Sequence, residues 1–414
     1  MKINYCERYP VAEMKYMSFF FCLALFIYWG CLIVHTGSLF PQSKWPYFVY
    51  YAQALLDGHL YFTNIPPSIA DLSLYQGKVY MHFPPFPSFL MLPLVKIFGL
   101  SMSGRFICVL LGAMNGALFF KLLRTLNEKK VFEISLKLAV FTTIFFLFGT
   151  VHLYCSITSN PWEFAHIVCN FLLISSLILA LNRKYAAALI IYTAILFTRT
   201  HIFLTLPVIY FLYWYLEKME GKTEGEILKR AVFSAIIPLA GIILLLLFNY
   251  VRFEDIFENG ICYHQMHPMF RVRFEKLGYF NFAYLPINLN AIFLQLPVLI
   301  DKFPYLSFTP KGLSLFAASP FYIYLFLSLR KEYAAKSAVL WGCTLLALVP
   351  ILLLMGTGEF QFGHRYSSDL QVFLCILVLM GIRFKLSKIA IFLISVSCVI
   401  NSYGAYWFVS SFAK

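Results

Sequence analysis

Long apolar runs, broken by short clusters of basic residues, set the pattern of this chain. Tyr16 to Thr36 and Ile236 to Tyr250 are nearly free of charge. A helix of about 20 such residues crosses the hydrocarbon core of a bilayer. The pattern predicts eleven spans, at 16–36, 104–123, 134–152, 163–182, 185–200, 202–216, 231–250, 311–329, 338–355, 370–384 and 388–409. The fold class is therefore an all-α integral membrane bundle of about eleven transmembrane helices. It forms a single domain over 1–414, and no internal repeat is visible.

The basic clusters give sidedness, because lysine and arginine collect in cytoplasmic loops. They lie at Lys2, Arg8 and Lys15; at Lys121, Arg124, Lys129, Lys130 and Lys137; and at Arg183 and Lys184. Others are Lys218, Lys222, Lys229 and Arg230; Arg330, Lys331 and Lys336; and Arg383, Lys385 and Lys388. Consecutive clusters must be separated by an even number of crossings. That parity forbids a crossing by Pro84 to Gly99, which is short, proline-rich and carries Lys96. It reads as an interfacial or re-entrant helix on the outer side. Parity also rejects a single crossing at Leu285 to Ile300. The N-terminus is then cytoplasmic and the C-terminus outside. Two long outer segments remain, 37–103 and 251–310, and function concentrates in such loops.

Composition agrees. The chain is 61% hydrophobic and 13% charged, with a mean hydropathy of +0.76. A soluble domain carries roughly 25% charged residues, so lipid must be the main solvent. The net charge of +14 does not call for nucleic acid, because the bases sit in clusters between apolar runs. The first apolar run lacks a small-residue cleavage site and reads as a first transmembrane helix. The ten cysteines form no CxxC pair, and most fall inside apolar runs. No P-loop, GxGxxG or HExxH occurs, which argues against cytosolic nucleotide chemistry. His264 and His267 are three apart without a third ligand, so neither metal nor cofactor is expected.

Candidate chemistry gathers on the outer side. Pro46 to Leu56 is an aromatic-rich amphipathic helix stopped near Gly58. Asp57 ends it, Asp71 follows in a loop, and Tyr75, Lys78 and Tyr80 come next. Trp162, Glu163 and His166 open the fourth span; Arg199 and His201 mark the turn after the fifth. Asn249 and Arg252 close the seventh span, and Tyr263, His264 and His267 follow it. His364, Arg365, Tyr366 and Asp369 lead into the tenth. Charges near a bilayer are usually paired or line a polar cavity. Arg365 and Asp369, four apart, suit a pair on one helical face. Arg199, Arg252 and Arg365 share one side of the membrane, and three guanidinium forks there suit a phosphate or pyrophosphate.

Four stretches carry a resemblance. They are YYAQALLDGHLYF with DLSLYQGKVYMHFPPFPSFLMLPLVKIFG, then NPWEFAHIV, NYVRFEDIFENG and EFQFGHRYSSDL. Together the chain resembles bacterial members of the GT-C superfamily, polytopic transferases that use lipid-phosphate-linked sugars, such as the protein O-mannosyltransferases and the lipid A aminoarabinose transferases. The resemblance implies a cytoplasmic N-terminus and a large first outer loop with interfacial helices. It also implies a catalytic acid early in that loop, where this chain reads Gln42-Ser43-Lys44-Trp45, and Glu254 stands where the family more often has glycine.

The implied activity is transfer of a sugar from a polyprenyl-phosphate-linked donor to a glycan, lipid or protein acceptor at the outer face of a bacterial inner membrane. Asp71 is the expected base, with Asp57 next. Arg365, Arg252, Arg199, Tyr366, Asp369, His364, Asn249, Tyr75, Tyr80, Lys78, His166 and His264 are the expected substrate contacts. A lipid or saccharide flippase and a non-catalytic protein of envelope biogenesis are the competing readings. A flippase would need midplane polar or broken-helix sites.

Overall fold

The computed structural model describes residues 8–301 and 305–412; Lys2 of the first basic cluster lies outside them. It is a helical membrane protein. Helix α1 (Arg8–Thr36) is followed by the short α2 (Tyr47–Leu56), the hairpin β1 (Ser73–Tyr75) and β2 (Lys78–Tyr80), and α3 (Phe86–Phe98). Then come α4 (Gly104–Glu128), α5 (Leu136–Phe148), α6 (His152–Thr158), α7 (Pro161–Leu181) and α8 (Tyr185–Leu196). The middle of the chain holds α9 (Pro207–Met219), α10 (Glu224–Ser234), α11 (Ile236–Phe253), α12 (Pro268–Leu277) and α13 (Leu285–Leu289). A second hairpin pairs β3 (Val298–Leu299) with β4 (Leu306–Ser307). The last part holds α14 (Leu315–Ala318), α15 (Ala334–Leu352), α16 (Gln371–Gly381) and α17 (Lys388–Phe412).

Local chemistry sets many boundaries. Ser103 and Ser135 accept the backbone N–H of Phe106 and Leu138 and so cap α4 and α5. Thr223 and Glu226 form a reciprocal capping box at α10. Gln76 and Gly77 join β1 to β2, both at positive φ, as a two-residue hairpin turn requires.

Among the described residues, six helices are long and apolar enough to cross a membrane, or seven if α5 and α6, bent by 47°, count as one. Eleven spans were expected, and this count does not confirm them. Helices α8, α9 and α16 have 12, 13 and 11 residues, about 16–20 Å at 1.5 Å per residue. That is less than the roughly 30 Å hydrocarbon core. The expected span at 311–329 is α14 followed by a 3-10 turn, Pro320–Leu327. Hydropathy registers apolar residues but not where a helix stops.

Helix α4 packs between α1 and α7, and α7 packs against α8. Every residue of α16 is buried, so it forms a central post. In contrast α11 displays Leu239, Ile243, Leu244, Leu247 and Val251 on its surface, an apolar face that belongs against lipid. The two ends of the first outer segment meet: Gln42 Nε2 donates to the carbonyls of Ser101 and Met102 at 2.5 and 2.9 Å. A segment that starts and ends at the same place, and whose helix α3 has only 13 residues, matches a chain that does not cross there. The second doubtful stretch is α13 with the turn after it, and Asn288 ties it to the carbonyls of Leu352 and Leu354 at the end of α15.

Candidate functional site

Asp369 is the centre of the buried polar cluster. The 3-10 turn Arg365–Leu370 leads into α16 and buries this carboxylate completely. Its Oδ1 lies 2.7 Å from His166 Nδ1 on α7. Its Oδ2 accepts from Arg199 Nε at 3.0 Å and lies 3.2 Å from His201 Nε2. Burial opposes ionisation, but His166, Arg199 and His201 outweigh it and hold the carboxyl well below the usual carboxylate range. Asp369 is thus a structural anion that fixes three cationic or imidazole groups.

Arg365 does not pair with Asp369, as the four-residue spacing suggested. Its turn is 3-10 rather than α-helical, and its Nη1 instead reaches Glu163 Oε1 at 3.4 Å. Tyr154 donates to the same oxygen at 3.0 Å. Gln361 accepts the backbone N–H of Arg365. Tyr366 lies between the two arginines: the Arg199 and Arg365 guanidiniums stand 5.3 and 5.6 Å from its ring centroid. The rings of His166 and His364 flank it at 5.8 and 5.6 Å.

Asp71 sits at the mouth of the cluster. Its φ of 60° is a left-handed conformation in which Asp is tolerated, and its N–H donates to the Gln265 carbonyl. The side chain is 34% exposed and lies 3.3 Å from His264 Nε2. The ring of His82 lies 4.3 Å from that of His264. Burial, the neighbouring His264 and Arg252 lower His82 well below the ordinary imidazole range. Tyr279 is half-buried behind the site, its carbonyl accepting from the Met355 N–H. Burial, and the proximity of Tyr366 and Asp71, raise its phenol against the opposing Arg199.

Other expected residues lie elsewhere or are engaged by the fold. Arg252 is buried and donates to the carbonyls of Met81 and Phe248 and to Asn249 Oδ1. It also stacks 3.9 Å from Phe248. Asn249 in turn donates to the Ile256 carbonyl. Arg252 thus clamps the end of α11 to Met81 while Asn249 holds the loop that follows, so the expected three-arginine anion site reduces to Arg199 and Arg365. Asp57 is exposed and accepts from Gln53 and Thr63, a helix-end role away from the cluster. Tyr75 and Tyr80 pack on Phe253, and Tyr75 on Tyr263. Lys78 lies over Tyr61. They form an aromatic wall beside His264. At the early acid position Ser43 donates to Asn160, and Trp45 packs on Trp162.

His82 and Tyr279 carried no signal in the sequence, because only the return of the chain at 264–279 brings them to Asp71. Glu163 and His201 were visible as polar residues at helix ends, but their partners were not. Several buried atoms here have no hydrogen-bond partner in the protein: His166 Nε2, His264 Nδ1, both ring nitrogens of His364, Arg365 Nε and Glu163 Oε2. Such atoms mark where water or a polar ligand is accommodated. Chemically, the cluster joins a half-exposed carboxylate–imidazole pair to two fixed guanidiniums. Among the described residues no group of three metal-ligating side chains is formed. No family model, curated protein or solved structure matches the chain.

Proposed function

We propose that this protein is a membrane glycosyltransferase that moves a sugar from a polyprenyl-phosphate donor to an acceptor hydroxyl at the outer face. In this reading the chain crosses eleven times, with short helices such as α8 and α16 completing the odd crossings, and the membrane is the bacterial inner membrane. The observation that carries the function is the pair of guanidiniums, Arg199 and Arg365, each held by a buried carboxylate and set on the ring of Tyr366. Asp71, steadied by His264, takes the proton of the acceptor hydroxyl. The acceptor oxygen bonds to the anomeric carbon, and the bond from that carbon to the phosphate oxygen breaks. The lipid phosphate leaves with the electron pair and is stabilised by Arg199 and Arg365, both already oriented by carboxylates. No nucleotide is needed, because the donor bond stores the energy.

The test uses purified protein in liposomes with a panel of radiolabelled polyprenyl-phosphate sugars and membrane-extracted acceptors. Transfer by the wild type, and its loss in Arg199→Met, is the expected result. A panel that gives no transfer, while labelled donor crosses the bilayer, would instead favour a flippase. That second reading rests on the 47° break between α5 and α6, where buried His152 meets Tyr28 and Ser156.

A further inference from the structure

A second site lies at the opposite end of the bundle. The inner ends of α4, α7 and α15 border, with α9 and α16, a narrow cleft that is open on one side. Its walls are apolar, among them Leu126, Leu181, Leu212, Leu340 and Phe373. One cation breaks the pattern, Lys336. Its ammonium donates to the Val131 carbonyl at 2.6 Å and stands 4.9 and 4.8 Å from the ring centroids of Phe132 and Tyr215. All three partners are neutral. Among the described residues no carboxylate stands at ion-pair distance from Lys336, although such pairs hold other inner lysines, as in Lys121 with Glu13. Lys336 is half-buried, and a charge held partly out of water against apolar walls favours a counter-charge. The loops around it carry Lys129, Lys130, Arg330 and Lys331, so the entrance is basic and on the side that faces anionic lipid.

We propose that this cleft binds one chain of an anionic phospholipid of the inner leaflet, with the lipid phosphate at Lys336. An apolar slot alone would take any hydrocarbon. A lone basic residue would take any anion. Their combination, opening among membrane-spanning helices, fits a molecule with both parts. The site is independent of the transferase reading, since it uses none of the outer residues.

The full-length protein is purified in detergent, titrated with phosphatidylglycerol or with phosphatidylcholine of the same chains, and weighed by native mass spectrometry. One phosphatidylglycerol should survive activation that strips the phosphatidylcholine. Lys336→Met keeps the stem and removes the charge; it should weaken retention roughly fivefold, the value of one lysine at an anionic surface. Leu340→Trp should displace the chain and lower retention as well, with Lys388→Met as a control that changes neither. Equal retention of both lipids, or unchanged retention in Lys336→Met, overturns the proposal. Retention lost in Lys336→Met but kept in a folded Leu340→Trp also overturns it, because the chain would then lie outside the cleft.

Discussion

Arg199 and Arg252 bring the same guanidinium to one side of the membrane, and their surroundings give them different work. Arg252 is consumed by two carbonyls, Asn249 and two aromatic rings. Arg252→Met should leave buried acceptors unpaired at about 1–3 kcal/mol and lower the Tm in detergent without a selective loss of donor binding. Arg199→Met should lower donor binding in addition to the Tm, because it also removes a counter-charge of the buried Asp369. Asp71→Asn should cut transfer by about 10²–10⁴-fold while Asp57→Asn, a change at a surface cap, stays close to wild type. Comparable rates for the two variants in reconstituted protein would remove Asp71 from the base role. The histidines set an acid limit. Burial lowers His364 to about 3 and His82 well below its ordinary value, so below about pH 6.5 the unfolded chain takes up protons that the folded one refuses. Their contribution is full above that pH and falls as pH drops. Asp369, whose folded value is depressed, keeps its contribution above about pH 3.9 and loses it only as pH falls through its folded value. The Tm should therefore be flat near pH 7–8 and decline below about pH 6.5, with a shallower decline in His364→Phe. A decline of the same slope in that variant would remove His364 from the account.

At the scale of elements, apolar periodicity and helix stops are separate kinds of information. The helix at 47–56 was legible from its aromatic face and Gly58, and α4, α7 and α15 from their apolar runs. The hairpin Ser73–Tyr80 was not, since Gln76-Gly77 is a weaker turn signal than Asn-Gly. The irregular stretch at 315–327 was hidden too, because its residues are as apolar as those of a helix. What holds that stretch is close packing rather than length. A Cβ at Gly381 of α16 would come within 2.1 Å of the Tyr324 carbonyl oxygen. Since that contact is backbone on both sides, Gly381→Ala should cost roughly 1–3 kcal/mol. Thermal unfolding of the purified variant measures it, and an unchanged Tm would mean that the turn can move away.

For the whole molecule, charge parity gives an expected sidedness that hydropathy alone leaves ambiguous. The bond from Gln42 to Ser101 and Met102 brings both ends of the segment 37–103 together, whichever side it lies on. A cysteine at Ser101 should react with a membrane-impermeant thiol reagent added outside; protection there, with labelling only after permeabilisation, would overturn the topology. The outer cluster was legible as a set of residue types at helix ends. Its pairing was not, because the partners of Asp369 are 203 and 170 residues away in the chain.

That separation also imposes a schedule on synthesis. Glu163, His166, Arg199 and His201 leave the ribosome long before Arg365 and Asp369 exist. Until roughly the last eighth of the chain is inserted, the polar groups at the ends of α7 and α8 are unmatched at the edge of a lipid phase that does not solvate them. The half-made protein is consequently marked by its own loose ends, and the turn at 365–370 acts as the closing latch. A chain truncated before Arg365 should be cleared by membrane proteases at a rate set by those exposed groups. Replacing His166, Arg199 and His201 together with apolar residues should lengthen its pulse-chase half-life, even though the same changes weaken the finished protein.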